Sequence, residues 1–185
     1  ADAGLIARHF QVVETGERQV GLIYKNGRLD NVLPPATRRV YWRGPVEVRV
    51  ELIDITTDYA LSRAHAALLA RPSASLAKNL TGFIQTAEIE DNHLGLLLVD
   101  GELVRTLPPG LHAFWRFNRA VKVEAVDLRL QTLEVSGQDI LTKDKVSLRV
   151  NLSAVYRIAD PVKVRAELGN GGEYLYRTLQ FGLRQ

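Results

Sequence analysis

The sequence predicts an α+β fold: two β-rich units, each a hairpin followed by a long antiparallel strand, joined by short helices. The first observation behind this is that the chain repeats itself. Laid 74 positions apart, Gly21 to Pro35 and Gly95 to Pro109 share both glycines, both prolines and three leucines. A duplicated structural unit is implied, and duplication points to scaffold rather than active site. The second observation is the period-two apolar alternation that closes each copy; the third is that apolar stripes of helical period occupy only the stretches between and after the copies.

Taken in order, His9 to Thr15 reads as a first strand. Arg18 to Leu33 follows as a hairpin, because Asn26-Gly27 supplies the two positive-φ residues of a type I′ turn. Asp100-Gly101 repeats the device. Leu107-Pro-Pro-Gly110 suits a type II turn, with Pro109 at the second corner and Gly110 taking the positive φ of the third. The first copy has Ala36 at that third corner, where a positive φ costs on the order of 1 kcal/mol, so it is expected to turn as type I or to open out. Tyr41-Trp42-Arg43 then answers to Trp115-Arg116, and after a one-residue slip Val48, Val50 and Asp54 answer to Val121, Val123 and Asp127.

Val46, Val48, Val50 and Leu52 face one way in a strand whose other face carries Glu47, Arg49 and Glu51. Val146 to Ile158 alternates over a longer span and calls for an antiparallel partner, for which Val121 to Val135 is nearest. Tyr59 to Ala70 places Leu61, Ala64, His65, Leu68 and Leu69 on one helical stripe ending before Pro72. Ser73 to Asn79 reads as a second short helix. Asp160-Pro161 caps and opens a helix to Leu168, Gly169 to Gly172 breaks it, and Glu173 to Gln185 starts another on Leu175, Leu179 and Leu183. With no terminator on that helix and no methionine even at position 1, the chain is expected to be a piece of a longer protein.

Composition is ordinarily globular, 46% apolar and 24% charged. The absence of cysteine excludes disulfides, thiol nucleophiles and thiolate metal sites. No apolar run approaches the ~20 residues of a membrane span. Net charge is +3, and the 24 basic residues are scattered among 21 acids, which reads as a solvated mixed surface rather than a nucleic-acid stripe.

A search for chemistry yields little. His9, His65, His93 and His112 lie far apart without metal-ligand spacing; His65 reads as a packed side chain and His112 as a surface residue. No serine stands in a nucleophile elbow. Gly169 to Gly172 lacks the Lys-Ser/Thr of a phosphate loop and is read as a breaker. Thr142-Lys-Asp-Lys145 near Asp139 reads as a polar turn. Asn79-Leu-Thr81 and Asn151-Leu-Ser153 fit a glycosylation pattern to which no function is attached. No catalytic, cofactor-binding or metal residue is nominated, and no cofactor, small-molecule substrate or nucleic-acid partner is expected. The constellation with a plausible task is aromatic: Tyr41, Trp42 and Arg43 in the first copy, Phe114, Trp115, Arg116 and Phe117 in the second. Rings beside arginine suit a bilayer interface or a partner contact; the alternative is that they cap the core of each unit.

Four marks in order then carry a resemblance: the hairpin and turn from Gly95 to Gly110, Val126-Asp-Leu-Arg129 closing a strand, Gln138-Asp-Ile-Leu-Thr-Lys-Asp144 before the long strand, and Tyr156-Arg-Ile-Ala-Asp-Pro161 after it. Residues 87 to 184 resemble the opening of an SPFH or Band 7 domain, the module of stomatins, prohibitins, flotillins and the HflK/C proteins, and look most like a bacterial slipin carrying an extra copy of the first hairpin unit.

The resemblance implies three parts: an N-terminal β unit over 1–57, a helical connector over 58–82, and a C-terminally incomplete SPFH domain over 83–185. It further implies a non-enzymatic, peripheral membrane protein, on the cytoplasmic face of a bacterial inner membrane, that forms homo-oligomers and organises membrane patches or regulates membrane proteins such as a partner protease. The piece in hand is expected to be soluble and, ending before the coiled coil that the resemblance implies, a monomer or weak dimer. The rival expectation is a soluble protein-interaction module using exposed hairpin edges.

Overall fold

The computed structural model describes residues 9–183, the side chain of Ser75 apart. Twelve strands and four helices are found among them. Strands β1 (Phe10–Glu14) and β4 (Arg38–Trp42) form a two-stranded ribbon, and β2 (Gln19–Lys25), β3 (Arg28–Leu33) and β5 (Val48–Asp54) a sheet of order β3-β2-β5. The arrangement recurs downstream. Strands β6 (Ile84–Ile89) and β9 (Gly110–Trp115) pair as a ribbon, and β7 (His93–Val99), β8 (Glu102–Leu107) and β10 (Val121–Asp127) form a sheet of order β10-β7-β8. Strands β11 (Gln131–Leu141) and β12 (Ser147–Tyr156) make a separate long hairpin. The helices are α1 (Arg63–Ala70), α2 (Ala74–Leu80), α3 (Pro161–Glu167) and α4 (Gly171–Gly182).

The details that fix each hairpin agree between the two segments. Asn26 and Gly27 have φ of 48° and 76°, Asp100 and Gly101 52° and 90°, the signs a type I′ turn requires. Each turn is tied to the residue just before a later strand by the same reciprocal pair. Asn26 donates its N–H to Glu47 C=O at 2.9 Å and accepts Glu47 N–H on its side chain at 3.0 Å, while Asp100 does so with Ala120 at 2.8 and 2.7 Å. At the end of β5, Asp54 accepts the N–H of Thr56 at 2.8 Å; at the end of β10, Asp127 accepts that of Arg129 at 2.9 Å.

One corner departs from expectation. Ala36 takes a left-handed φ of 53° instead of turning as type I or opening out. The strain of a Cβ there is held by neighbours that over-determine the turn: Ala36 N–H bonds Gly16 C=O at 3.0 Å, and the buried Thr15 hydroxyl donates to Pro34 C=O at 2.7 Å and accepts Thr37 N–H at 2.9 Å. The equivalent Gly110 sits at φ 129°, a region only glycine enters freely.

Two further expectations are corrected. Helix α1 begins at Arg63, not Tyr59, because Ser62 caps it by accepting His65 N–H and Tyr59–Leu61 is drawn into extended pairing with β9. The partner of β12 is Gln131–Leu141, with Gln131 opposite Tyr156 and Leu141 opposite Ser147. The expected strand over 121–135 is interrupted after Asp127, where the Asp127–Arg129 turn ends the ladder. Asn151 of the glycosylation-like triplet accepts Gly137 N–H at 2.8 Å across the bulge in this hairpin.

The chain groups into two compact units. The first comprises Ala1–Glu88, Leu98–Leu103 and Gly110–Lys122. Its main core gathers Val20, Leu22, Tyr24, Val32, Ile55, Leu69, Leu76, Leu80 and Trp115, with α1 packed on β9 and α2 on β3. A smaller cluster of Val13, Ile23 and Leu33 lies under Tyr41, Val48 and Val50. Of the expected inward row on β5, Leu52 turns to solvent and Ile53 packs instead. The second unit comprises Ile89–Leu97, Val104–Pro109 and Val123–Gln185. Here α3 starts at Pro161 with Asp160 as cap, Arg165 pairs with Glu124 at 3.0 Å, and α4 packs on β11 through Gln180, whose amide donates to Gln138 at 3.1 Å.

Candidate functional site

The aromatic residues singled out in the sequence part company. Phe114 and Trp115 are each only 1% exposed. Trp115 is the largest side chain in the main core, stacked on Phe117 at 5.9 Å, and Phe117 meets Phe83 at 4.9 Å. Phe114 lies 6.3 Å from Tyr59. As candidate outside contacts these two rings are therefore corrected: covered on all sides, they have nothing to offer a bilayer or a partner. Phe117 is half-buried against the same core, and Arg116 is exposed.

The main core covers Trp115, and the connector closes the edge of β9 beside it. Trp115 N–H donates to Tyr59 C=O at 2.8 Å and Leu61 N–H to Ala113 C=O at 2.9 Å. Residues 59–61 thus add a short third strand to β9, and Ala60 bridges Phe114. Arg119 completes the cover, its guanidinium 4.4 Å from the Tyr59 ring centroid and 3.3 Å from Ile55 C=O.

The corresponding ribbon of the first segment has no such cover. Tyr41 faces inward over the small cluster, and burial raises its phenol pKa above the usual value. Opposite to it, Phe10, Val12, Val40 and Trp42 stand on one face, paired as Phe10↔Trp42 and Val12↔Val40. They are 40, 43, 55 and 62% exposed respectively. Arg43 N–H donates to His9 C=O at 2.7 Å. By the alternation of an antiparallel ladder, the bonded pairs are then Gln11↔Tyr41 and Val13↔Arg39. Val40 and Trp42 consequently aim their own amides at the far edge of β4, where no partner strand lies among the described residues. On this face Arg38 stands directly opposite Glu14, Arg43 follows Trp42, and all three are exposed, whereas Arg39 lies on the Tyr41 face. The Trp42 ring rests on Gly44, at which an added Cβ would come within 2.5 Å of it, so this exposed ring is seated rather than free.

Sequence reasoning named Tyr41, Trp42 and Arg43 but missed Phe10, Val12 and Val40. The signal available was that β1 and β4 carry apolar residues on both parities, Phe10 and Val12 as well as Val13, Val40 and Trp42 as well as Tyr41.

Elsewhere the structure offers little chemistry. Among the described residues no group of three or more His, Cys, Asp or Glu could hold a metal ion, and no helix is long and apolar enough to cross a membrane. An apolar cleft of about 360 Å³ lies between the end of β12 and helices α3 and α4, lined by Tyr156, Ile158, Val164, Leu168, Tyr174 and Leu175 among others. A more polar one of about 410 Å³ runs past Glu17, Arg18, Pro34, Ala36 and Phe117. Neither contains Asp139, Asp144 or a histidine. His65 is half-buried and lies 3.3 Å from the Glu51 carboxylate, which also receives the Tyr24 hydroxyl at 3.3 Å. Burial, and then Glu51, push the Tyr24 pKa up; the trio ties α1 to the sheet. His112 is half-buried rather than on the surface.

Comparison with known proteins bears on residues downstream of this ribbon. The family model described as SPFH domain / Band 7 family matches residues 87–184. A stomatin homolog of Pyrococcus horikoshii is 39% identical over 80 residues, covering 43% of this chain and 28% of that protein. An uncharacterized protein of Archaeoglobus fulgidus is 34% identical over 92 residues, 50% of this chain and 35% of the relative. Protein HflK of Vibrio cholerae is 33% identical over 105 residues, 56% of this chain and 25% of its own length. The chain thus spans between a quarter and about a third of the length of these relatives. With the matched region beginning in β6 and running through α4, the chain belongs to the SPFH/Band 7 family.

Proposed function

We propose that the protein is a non-catalytic, membrane-associated scaffold of the stomatin type, and within that type a slipin. In this reading residues 1–57 are an added β unit, 58–82 its connector and 83–185 the opening of the SPFH domain. The intact protein works as a homo-oligomer, held peripherally at the cytoplasmic face of a bacterial inner membrane, where it organises membrane patches or regulates membrane proteins, a protease among them. The observation that carries the reading is the family match over residues 87–184, supported by likeness to a stomatin homolog and to HflK.

Magnitudes favour assembly over solitary binding. At about 1 kcal/mol for each basic residue near an anionic surface, the excess of three positive charges gives ~3 kcal/mol, weaker than a millimolar dissociation constant. A single copy therefore detaches readily, whereas an array makes each later contact at high effective concentration. The test is fractionation of cells making the natural full-length protein. The expected result is recovery with the membrane pellet, release by alkaline wash, and a native mass of many copies. Recovery as a freely soluble monomer would overturn the reading.

A further inference from the structure

We propose that the outer face of the β1–β4 ribbon is itself a lipid-binding surface, seating Phe10, Val12, Val40 and Trp42 at the boundary of an anionic bilayer with Arg38 and Arg43 among the headgroups. The inference rests on the membrane reading above and deepens it, because this surface lies outside the residues that match the family.

The molecule contains its own comparison. In the second segment, the place of Val40 and Trp42 on the ribbon is taken by Ala113 and Trp115; both are buried, Trp115 within the main core and under α1, while residues 59–61 close the edge of β9. The first segment keeps the apolar face and lacks the cover. Four side chains of these sizes and exposures leave on the order of 400 Å² of apolar surface in water, the size of the largest patch on a typical monomer, which is often functional. That is about half of the ~800 Å² that each partner brings to a standard protein interface, too little for a stable dimer seam.

Its composition fits a lipid interface better. The strip ends in a tryptophan, and tryptophan prefers the depth at which an apolar ring meets headgroups. Arg38 and Arg43 flank it, with Glu14 directly opposite Arg38 across the ladder. Arg38 stands on the same face as Val40 and Trp42, and Arg43 follows directly after; both can keep their stems along the apolar strip while the guanidinium reaches phosphate. Contact with Gly44 gives the Trp42 ring a backbone surface to rest on before binding, which lowers the ordering cost of contact.

Tryptophan fluorescence tests this on the whole 185-residue chain, since there are two tryptophans and Trp115 is already buried. Vesicles of phosphatidylcholine with about a third phosphatidylglycerol are titrated at low salt. The expected result is a blue shift of the Trp42 emission and quenching by brominated lipid, both absent in Trp42→Phe, which still co-floats. Val12→Ser with Val40→Ser should weaken flotation about tenfold. Arg38→Ala with Arg43→Ala should weaken it about thirtyfold on anionic vesicles, about 1 kcal/mol for each charge, and leave pure phosphatidylcholine unchanged. Circular dichroism confirms that each variant folds, as expected for exposed positions. Flotation with unchanged Trp42 emission would overturn the lipid surface while leaving the membrane function standing. No flotation at any lipid concentration would overturn it as well, fractionation of the full-length protein then deciding the broader reading. A blue shift with a peptide of residues 56–62, the strand that covers β9, but none with vesicles would reassign the face to strand addition by a protein.

Discussion

The two ribbons of this molecule, β1–β4 and β6–β9, are built to one plan and end in opposite environments. Both close with a bond from the residue after the second strand to the residue before the first, Arg43 to His9 at 2.7 Å and Arg116 to Phe83 at 2.8 Å. Both carry a tryptophan as the last residue of that second strand. Trp115 is the centre of a core, whereas Trp42 is more than half exposed. Backbone pairing is decided locally by turns and alternation. Burial of the outer face is decided by whether other segments arrive to cover it, here α1 and the main core, with Tyr59–Leu61 closing the edge. A strand pattern therefore states that a face is apolar and leaves open what lies against it.

The widest gap between the ribbons is energetic, and truncating the two tryptophans measures it. Trp115→Ala removes a fully buried indole from the midst of Val20, Leu22, Ile55, Leu69 and Leu80 and should cost about 3 to 5 kcal/mol. Trp42→Ala removes a ring that mostly faces water and should cost about 0.5 kcal/mol or less. Urea unfolding followed by circular dichroism reads both. Equal losses would mean that the first ribbon is covered in solution and that the comparison is false.

A middle-sized effect sits beneath each hairpin, where a glycine lets two neighbours close over the central strand. At Gly95 an added Cβ would come within 3.0 Å of both Ile89 Cδ1 and Leu107 Cβ; at Gly21 it would meet Thr15 Cγ2 at 3.2 Å and Leu33 Cβ at 3.4 Å. The smaller threonine leaves the first site looser. Gly95→Ala should therefore destabilise by about 1 to 3 kcal/mol, as overpacking does, and Gly21→Ala by roughly 1 kcal/mol or less. Adding Ile89→Val to Gly95→Ala removes the clashing methyl and should recover part of the loss. The same unfolding measurements apply, and a Gly21→Ala variant worse than Gly95→Ala would reverse the ranking.

How far the residues announce all this follows from the range of each signal. Asn26-Gly27, Asp100-Gly101, Ser73, Asp160 and the alternation of β12 act through neighbours within a few positions, and all were legible. Tyr59–Leu61 was read as helix because its apolar spacing suits a 3.6 period. Its backbone is claimed instead by Ala113 and Trp115, more than fifty positions away, and no local pattern records that. Ala36 was read as unable to turn like a glycine. The hydroxyl of Thr15, which fixes that corner through Pro34 and Thr37, is distant in sequence and near only in the fold. The aromatic constellation was legible as a list of residues but not in its division into core and surface, because that division depends on the same long-range cover. Phe10, Val12 and Val40 escaped because three of the four members of the exposed face look like ordinary strand residues.

The smallest effect lies in the carboxylates that end the long strands. Asp127 is held down to about 2, from an ordinary 3.8, first by hydrogen bonds from the Arg129 side chain and backbone and then by the charges of Arg129 and His93. Arg129 Nη2 sits 2.7 Å from Oδ2, and its Nε 2.9 Å from Oδ1. Asp54 is also lowered, by hydrogen bonds from Thr56 alone and with a weaker contribution from Arg18. A folded-state value below the ordinary one means the carboxylate contributes stability above pH 3.8 and loses it as pH falls toward 2. Both groups are open to water, so the contribution is small and screened by salt. Arg129→Ala should raise the Asp127 pKa toward the ordinary value, leave Asp54 where it is, and flatten the acid limb of stability between about pH 4 and 2. Carbon-detected NMR titration of the side-chain carboxyls follows the two aspartates separately. If Asp54 moved together with Asp127, the two strand ends would be coupled through the fold, and their likeness would reflect a shared electrostatic environment instead of the same local turn made twice.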